Sequence, residues 1–303
     1  MAINWFPGHM HKARKEISKV IDKMDIVIEV LDARIPFSSA NPLVNQFKAS
    51  KPSIKILNKS DLADPKITQA WQAYFEKDEH IKTLALSAHQ DSRAKTISSL
   101  CRKLVPEKLG SDKDINAMIM GIPNVGKSTL INGIAGRAIA KVGNEPAVTK
   151  RQQKIKLDSG ISLSDTPGML WPKLEPASCG YRLAVTGAIK DTAIEYDDVA
   201  LFAAMALRDL YPASLRARYK LEVLPDEPLT LLEAIGAKRG CLRSGGFVDI
   251  HQASTILLQD LRSGKLGQIT LETPAMMESE MEVFRAMIAA KRASEGSARE
   301  ADS

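Results

Sequence analysis

The chain has 303 residues, 44% hydrophobic and 26% charged, enough apolar material for one large domain and a smaller one. No apolar run approaches the roughly 18 to 20 residues of a membrane span, and the opening "MAINWFPGHMHKARK" breaks up any secretory signal, so neither a membrane role nor export is expected. The net charge of +6 favours a polyanionic partner, while three scattered cysteines, Cys101, Cys179 and Cys241, with no CxxC pair, fit a reducing, cytoplasmic setting and exclude a clustered zinc site.

In chain order, "KARKEISKVIDKM" at 12–24 places Ala13, Ile17, Val20, Ile21 and Met24 on one face and predicts an amphipathic helix. The short apolar runs "DIVIEVL", "SIKIL", "IKTLAL" and "INAMIM" then alternate with helical patterns around 66–78 and 93–105. This alternation predicts an α/β domain with a mainly parallel sheet and helices on both faces. Ligands of such sheets sit beyond the carboxyl ends of the strands, where "NKSD", "LSAH", "GIPNVGKST" and "SDTPG" all fall. After about residue 175, "DVALFAAMALRDL", "LTLLEAIG" and "HQASTILLQDLRSGK" carry helical periodicity. The expected organisation is therefore an α/β domain over 1–175, a smaller all-helical domain over 176–275 and a tail over 276–303. In the tail, Met277, Met281, Phe284 and Ile288 align on one more helix, and the polar end "SEGSAREADS" is expected to be disordered.

"NKSD" at 58–61 supplies a carboxylate, Asp61, that accepts two N–H bonds from guanine N1 and N2, where adenine would offer a lone pair. Asn58 can bond the other edge of the base, with Lys59 completing the guanine set. In "LSAH" the Ala88 N–H points toward the base oxygen, with Ser87 shaping the turn. Leaving such groups unpaired discriminates roughly 10⁴- to 10⁵-fold, so GTP is expected rather than ATP. "GIPNVGKST" fits G-x-x-x-x-G-K-[ST] between a strand and a helix, which assigns phosphate contacts to Asn124, Val125, Gly126, Lys127, Ser128 and Thr129. Lys127 adds a catalytic point charge and the Ser128 hydroxyl a Mg²⁺ ligand. In "NEPAVTK" Thr149 is either a metal-reaching switch residue or an ordinary solvated threonine. "SDTPG" would be a plain turn in isolation, but beside the cradle it places Asp165 near Mg²⁺ and the Gly168 N–H near the γ-phosphate.

The guanine reader precedes the phosphate cradle, the reverse of the usual order, and the opening falls just after "DTPG". A compact domain whose ends lie close together tolerates such a circular permutation. With "NWFPGHM", "DARIPFSSANP", "LNKSD", "GIPNVGKSTLIN", "DTPGMLWPK", "RLAVTGAIKD" and "KRGCLRSGG", the chain resembles the YlqF/RbgA type of circularly permuted GTPases that assist assembly of the large ribosomal subunit. The resemblance implies a permuted Ras-like domain, a helical C-terminal domain contacting ribosomal RNA, and GTP hydrolysis stimulated by the subunit. Met169 and Leu170 stand where many GTPases carry a water-orienting glutamine; the resemblance gives that role to His9, whose other reading is a packing or capping residue at the helix start. Asn124 resembles the phosphate-loop asparagine of potassium-stimulated GTPases, which implies K⁺ beside Mg²⁺. Ala147 departs from the glycine usual in that loop.

In the second half Arg216 and Arg218, and then Lys238, Arg239 and Arg243, form basic clusters that the resemblance turns into RNA contacts. The expected partners are thus GTP/GDP and the large subunit with its RNA, with no membrane and no required oligomer. Two rivals stand beside this reading: a nucleotide-gated RNA-binding module with incidental hydrolysis, and a GTPase of translation or tRNA modification.

Overall fold

The structure is a computed structural model that describes residues 3, 8–44, 51–88, 96–108, 113–140, 153–157 and 160–301. The first helix, α1 (Gly8–Val20), begins earlier than its apolar pattern, and a 3₁₀ turn over Ile21–Lys23 completes the stripe. Ala13, Ile17, Ile21 and Met24 are buried, as the periodicity requires.

Then follow β1 (Ile26–Asp32), β2 (Ser53–Asn58), α2 (Pro65–Phe75), β3 (Ile81–Ala85), α3 (Thr96–Leu104), β4 (Ile115–Gly121), α4 (Lys127–Ala135), β5 (Gln153–Leu157) and β6 (Ile161–Asp165). Helix α2 starts by local rules: Pro65 fixes the first turn, and the Asp64 carboxylate accepts from Lys66 N at 2.8 Å and Ile67 N at 3.3 Å. Every residue of β1 is buried, including Glu29, whose carboxylate pairs with Lys55 of β2; the parallel register sets the two side by side.

The strands are ordered β3-β2-β1-β4-β6-β5, all parallel except the antiparallel edge pair β5/β6. From β1 the chain steps outward through β2 and β3, then crosses back to lay β4 on the other side of β1. The order reverses between β1 and β4, and the carboxyl ends of such a pair form the binding crevice of doubly wound sheets. This is the sheet of a Ras-like domain with its connections permuted.

Helices α5 (Ala177–Val185), α6 (Tyr196–Leu210), α7 (Pro212–Tyr219), α8 (Pro228–Arg239) and α9 (Ile250–Arg262) build the helical half. Its core is continuous with that of the sheet half. The chain after α9 also returns to the first half: Ile269 N–H donates to the Leu62 carbonyl at 2.9 Å, Leu271 N–H to Arg34 O at 2.8 Å, and Trp71 Nε1–H to Glu272 O at 2.9 Å. The fully buried Glu272 carboxylate accepts from Phe37 N at 2.6 Å and Ser38 N at 2.9 Å; burial pushes its pKa up, against the pull of Arg182 and these donors. The expected boundaries at 175 and 275 thus cross shared packing.

The last helix, α10 (Pro274–Ala301), carries Met277 in the core, with Met281, Phe284 and Ile288 half-buried along the predicted stripe. It runs on through the segment expected to be disordered, whose alanine, glutamate and arginine content sustains a helix. None of the described helices is long and apolar enough to cross a membrane.

Candidate guanine-nucleotide site

Asn58 closes β2, and its side chain stitches the site together. Its Nδ2 donates to the Val125 carbonyl at 2.6 Å, and its Oδ1 accepts the Ala88 N–H at 2.9 Å. The amide therefore joins the "NKSD", "LSAH" and "GIPNVGKST" loops, and its NH₂ carries a second hydrogen besides the one given to Val125. The Ala88 N–H, expected to face the base oxygen, is donated to Asn58. A second tie runs from Ser60 N–H to Leu86 O at 3.2 Å.

Gly126 faces this amide with φ +90°, and a Cβ there would lie 2.4 Å from Asn58 Nδ2. Only glycine meets both demands. Lys59 and Asn124 also take left-handed backbone, φ 60° and 56°, and as non-glycine residues they carry strain at the loop tips. Lys59 is held by its ammonium, 3.0 Å from the Asp32 carboxylate, which also grips Arg34 through Nε at 2.9 Å and Nη2 at 2.7 Å. Burial alone would raise the Asp32 pKa, but the charges and hydrogen bonds of Arg34 and Lys59 outweigh it and hold the carboxyl far below its usual range. Burial in turn lowers the Lys59 pKa against the pull of Asp32.

Asn58, Lys59, Asp61, Ser87, Ala88, Asn124, Gly126 and Thr129 line one cavity of about 870 Å³. Asp61 is exposed in it, while its backbone carbonyl accepts from Gln268 Nε2 at 3.3 Å. The opposite wall comes from the helical half, through Thr186, Gly187, Lys190 and Arg262. Asn124 Nδ2 donates to the Gly187 carbonyl at 2.9 Å, which attaches the phosphate loop to the end of α5.

Lys127, at the start of α4, is buried against Asp165 at the end of β6, and their side chains form an ion pair. Burial pushes the lysine pKa down and that of the aspartate up, each partly countered by its partner. Ser128 is half-exposed in the same turn, and Val125 is buried with its carbonyl on Asn58. Gly168 lies on the phosphate loop, where a Cβ would approach Pro123 Cα to 3.0 Å. Thr166 Oγ1 donates to Ile119 O at 2.9 Å and Met169 N–H to Gly121 O at 3.0 Å, which fastens "DTPG" along β4.

Met169 and Leu170 are buried, and the Leu170 N–H donates to the Met10 sulfur at 3.4 Å, so the start of α1 abuts the chain after "DTPG". His9 lies in that first turn; its side chain, and all of Thr149, lie outside the described residues.

The basic residues chosen for RNA are divided. Arg218 grips Asp260 at 2.8 and 3.0 Å, Arg239 lies 3.9 Å from Asp260, and Arg243 holds Asp249 at 2.9 and 3.0 Å. Arg216 and Lys238 are exposed. What the sequence reading passed over is the support: Asp32, Arg34, and the Thr186–Gly187 turn. The signal was available in "DARIP", which places a carboxylate and a guanidinium at the carboxyl end of a central strand.

A doubly wound sheet whose guanine reader, base loop and phosphate cradle meet at the switch point defines a guanine-nucleotide-binding P-loop protein of permuted connectivity. Residues 116–211 match the family described as 50S ribosome-binding GTPase. The protein named Ribosome biogenesis GTPase A from Bacillus cereus is 44% identical over 289 residues, covering 93% of this chain and 97% of that one. Its namesake from Thermotoga maritima is 30% identical over 272 residues, covering 90% and 95%. Among solved structures, GDP-bound YlqF matches with a TM-score of 0.61 at 26% identity over 86% of this chain and 99% of that one. GNP-bound YlqF from T. maritima matches at 0.59 and 27% identity over 87% and 98%. The chain belongs to the ribosome biogenesis GTPase A family.

Proposed function

We propose that the chain hydrolyses GTP as an assembly factor of the large ribosomal subunit, docking in its GTP form and leaving after hydrolysis. The observation that carries this reading is the single cavity in which "NKSD", "LSAH" and "GIPNVGKST" converge. Its membership of a family whose relatives bear the name Ribosome biogenesis GTPase A supplies the ribosomal half of the reading.

In this reading Asp61 accepts the N–H groups of guanine N1 and N2, and Ser87 shapes the loop beside the base. Backbone N–H groups from Asn124 to Thr129 surround the phosphates at the N-terminus of α4. Lys127, already desolvated, neutralises phosphate oxygens more strongly than an exposed ammonium would. The donor set suits Mg²⁺: the Ser128 hydroxyl and Asp165 carboxylate are hard oxygen ligands on adjoining elements, with Thr149 a third from the loop between them. Bound Mg²⁺ supplies charge neutralisation as the γ-phosphoryl transfers.

Neither Met169 nor Leu170 can orient water; the family resemblance gives that task to His9, and the contact of the neighbouring Met10 with Leu170 supports its placement. Asn124 keeps its Oδ1 for a K⁺ ion while Nδ2 holds Gly187. Arg216 and Lys238, both exposed, present cations for ribosomal RNA phosphates, with Arg218, Arg239 and Arg243 nearby in sequence. The deciding experiment measures GTP turnover alone, with large subunits and with small subunits. Stimulation by large subunits only is expected; equal rates in all three would refute the reading.

A further inference from the structure

The β5 edge of the sheet carries a second cavity, of about 480 Å³, lined by Arg137, Ala138, Ile139, Lys154, Ile155 and Lys156. Arg137 and Ile139 lie on the chain leaving α4, just past Gly136, whose φ of +67° ends the helix. Asn132 of α4 fixes that stretch: its Oδ1 accepts from Ile139 N at 2.9 Å and Ala140 N at 2.8 Å, and its Nδ2 donates to Ala140 O at 2.9 Å. The other side of the cavity is β5, where Ile155 and Leu157 are buried while Lys154 and Lys156 are exposed. Strand alternation sets both lysines on one face, about 6.5 Å apart along the backbone.

Three cations from two elements therefore border this cavity, and no carboxylate lines it. Lys156 reaches Asp114 at 3.4 Å, an exposed pair that water screens, and neither Arg137 nor Lys154 has an ion-pair partner among the described residues. Lysines on an edge strand discourage another strand from pairing there, and among the described residues β5 pairs only with β6. That protective role asks for no arginine from α4 and no cavity between the two elements. The uncompensated charge calls instead for an anion. A small anion would need desolvated donors, whereas these three are exposed and spaced along the strand at about the step between successive phosphates of a nucleic-acid chain.

We propose that this edge binds the phosphate backbone of RNA through Lys154 and Lys156 of β5 and Arg137 beyond α4, a contact additional to Arg216 and Lys238 of the helical half. The proposal rests on the ribosomal reading of the chain and extends its RNA-binding surface to the GTPase half. Residues 141–152, which carry Thr149, run between the two sides of this cavity, so RNA held across it engages the chain before and after that stretch.

The test compares Lys154→Ala with Lys156→Ala, Arg137→Ala alone, and a control, Lys66→Ala with Lys82→Ala, which removes two exposed charges from α2 and from β3 at the opposite edge of the sheet. Binding to large ribosomal subunits and to a short RNA duplex is measured over a salt series, with GDP affinity and melting recorded alongside. The β5 variant is expected to weaken both kinds of binding and to flatten the dependence of log K on log[salt] by roughly two units, and Arg137→Ala by roughly one. GDP affinity and melting should stay at the wild-type values, and the control should keep the wild-type slope. An unaltered slope in the folded β5 variant, or an equal change in the control, would overturn the proposal. So would weaker subunit binding with unchanged duplex binding, which describes an acidic protein partner. If the wild type binds the duplex through this edge but not the subunit, the ribosomal reading falls and the site stands; if it binds subunits and the variants match it, only the site falls. If the wild type binds neither, both fall.

Discussion

Asn58→Ala separates two accounts of the "NKSD" asparagine. If the side chain served only the base, its removal would leave the nucleotide-free protein untouched. In the structure it holds Val125 O at 2.6 Å and Ala88 N at 2.9 Å, so truncation strands an acceptor on one loop and a donor on another. Each buried group left without a partner costs about 1–3 kcal/mol. Val125 is buried and belongs near the top of that range, while Ala88 is half-exposed and can recruit water. The expected loss is therefore about 2–4 kcal/mol, read as a fall in the urea midpoint of nucleotide-free protein. Asn58→Asp sharpens the test, because it keeps an acceptor for Ala88 but sets a carboxylate oxygen against the Val125 carbonyl, and it should do at least as much damage. A midpoint within error of wild type for both variants, with only nucleotide affinity reduced, would refute the scaffolding role.

Asp61→Asn removes the double acceptor for guanine and offers an N–H to the O2 that xanthine carries in place of the amine. GDP affinity should fall by roughly 10³-fold or more while XDP binding rises, and an unchanged preference in competition titration would count against Asp61. The Asp32 carboxyl is held below its unfolded pKa, so its stabilising contribution is present above about pH 4 and fades as the pH falls below it. The stability gap between wild type and Asp32→Asn should accordingly narrow on acidification, and a gap independent of pH in denaturant titrations would contradict the ion-pair geometry. Replacing K⁺ by Na⁺ should slow subunit-stimulated GTP turnover if Asn124 Oδ1 holds the cation, and equal rates would remove that role. Arg216→Ala with Lys238→Ala should weaken subunit binding and flatten its dependence on log[salt] by roughly one unit per lost phosphate contact; an unaltered slope would place the RNA elsewhere.

Much of the fold was legible because the central strands are buried on both faces and read as unbroken apolar runs, as in "DIVIEVL" and "INAMIM". The Asp64-Pro65 start of α2 is equally local. Helix α7 was not legible: "PASLRARY" buries only Leu215 and Tyr219, a single i, i+4 pair amid polar residues. Nor were the loop-to-loop bonds of Asn58, whose partners lie far along the chain, or the burial of Glu272, a carboxylate that any local pattern assigns to solvent. The disorder expected after residue 293 came from polarity, whereas helix propensity governs the backbone there. Motifs announced the residues that line the cavity; the contacts that hold those motifs together are set by topology.

The permutation gains physical content from where the chain goes after β6. "DTPG" is fastened to β4 through Ile119 and Gly121, and Asn41 Nδ2 donates to Met169 O at 3.1 Å. Asn41 itself donates its backbone N–H to Glu29 at 2.9 Å, so the segment after "DTPG" is tied into the central strand. The chain then passes through α5 and comes back to the nucleotide cavity at Thr186 and Gly187, against Arg34 and Asn124. Arg262 locks that return by donating to Val185 O at 2.9 Å and Ala184 O at 2.8 Å from the end of α9. The turn after α5 is thus held by Asn124 and Arg262, and the helix packs on α6 of the helical half. In an unpermuted chain the segment after "DTPG" would lead on into the next strand of the same sheet. Opening the domain here instead makes the "DTPG" segment the covalent route into the helical half, so in the proposed GTPase a change at Gly168 would reach those helices through one short element, α5.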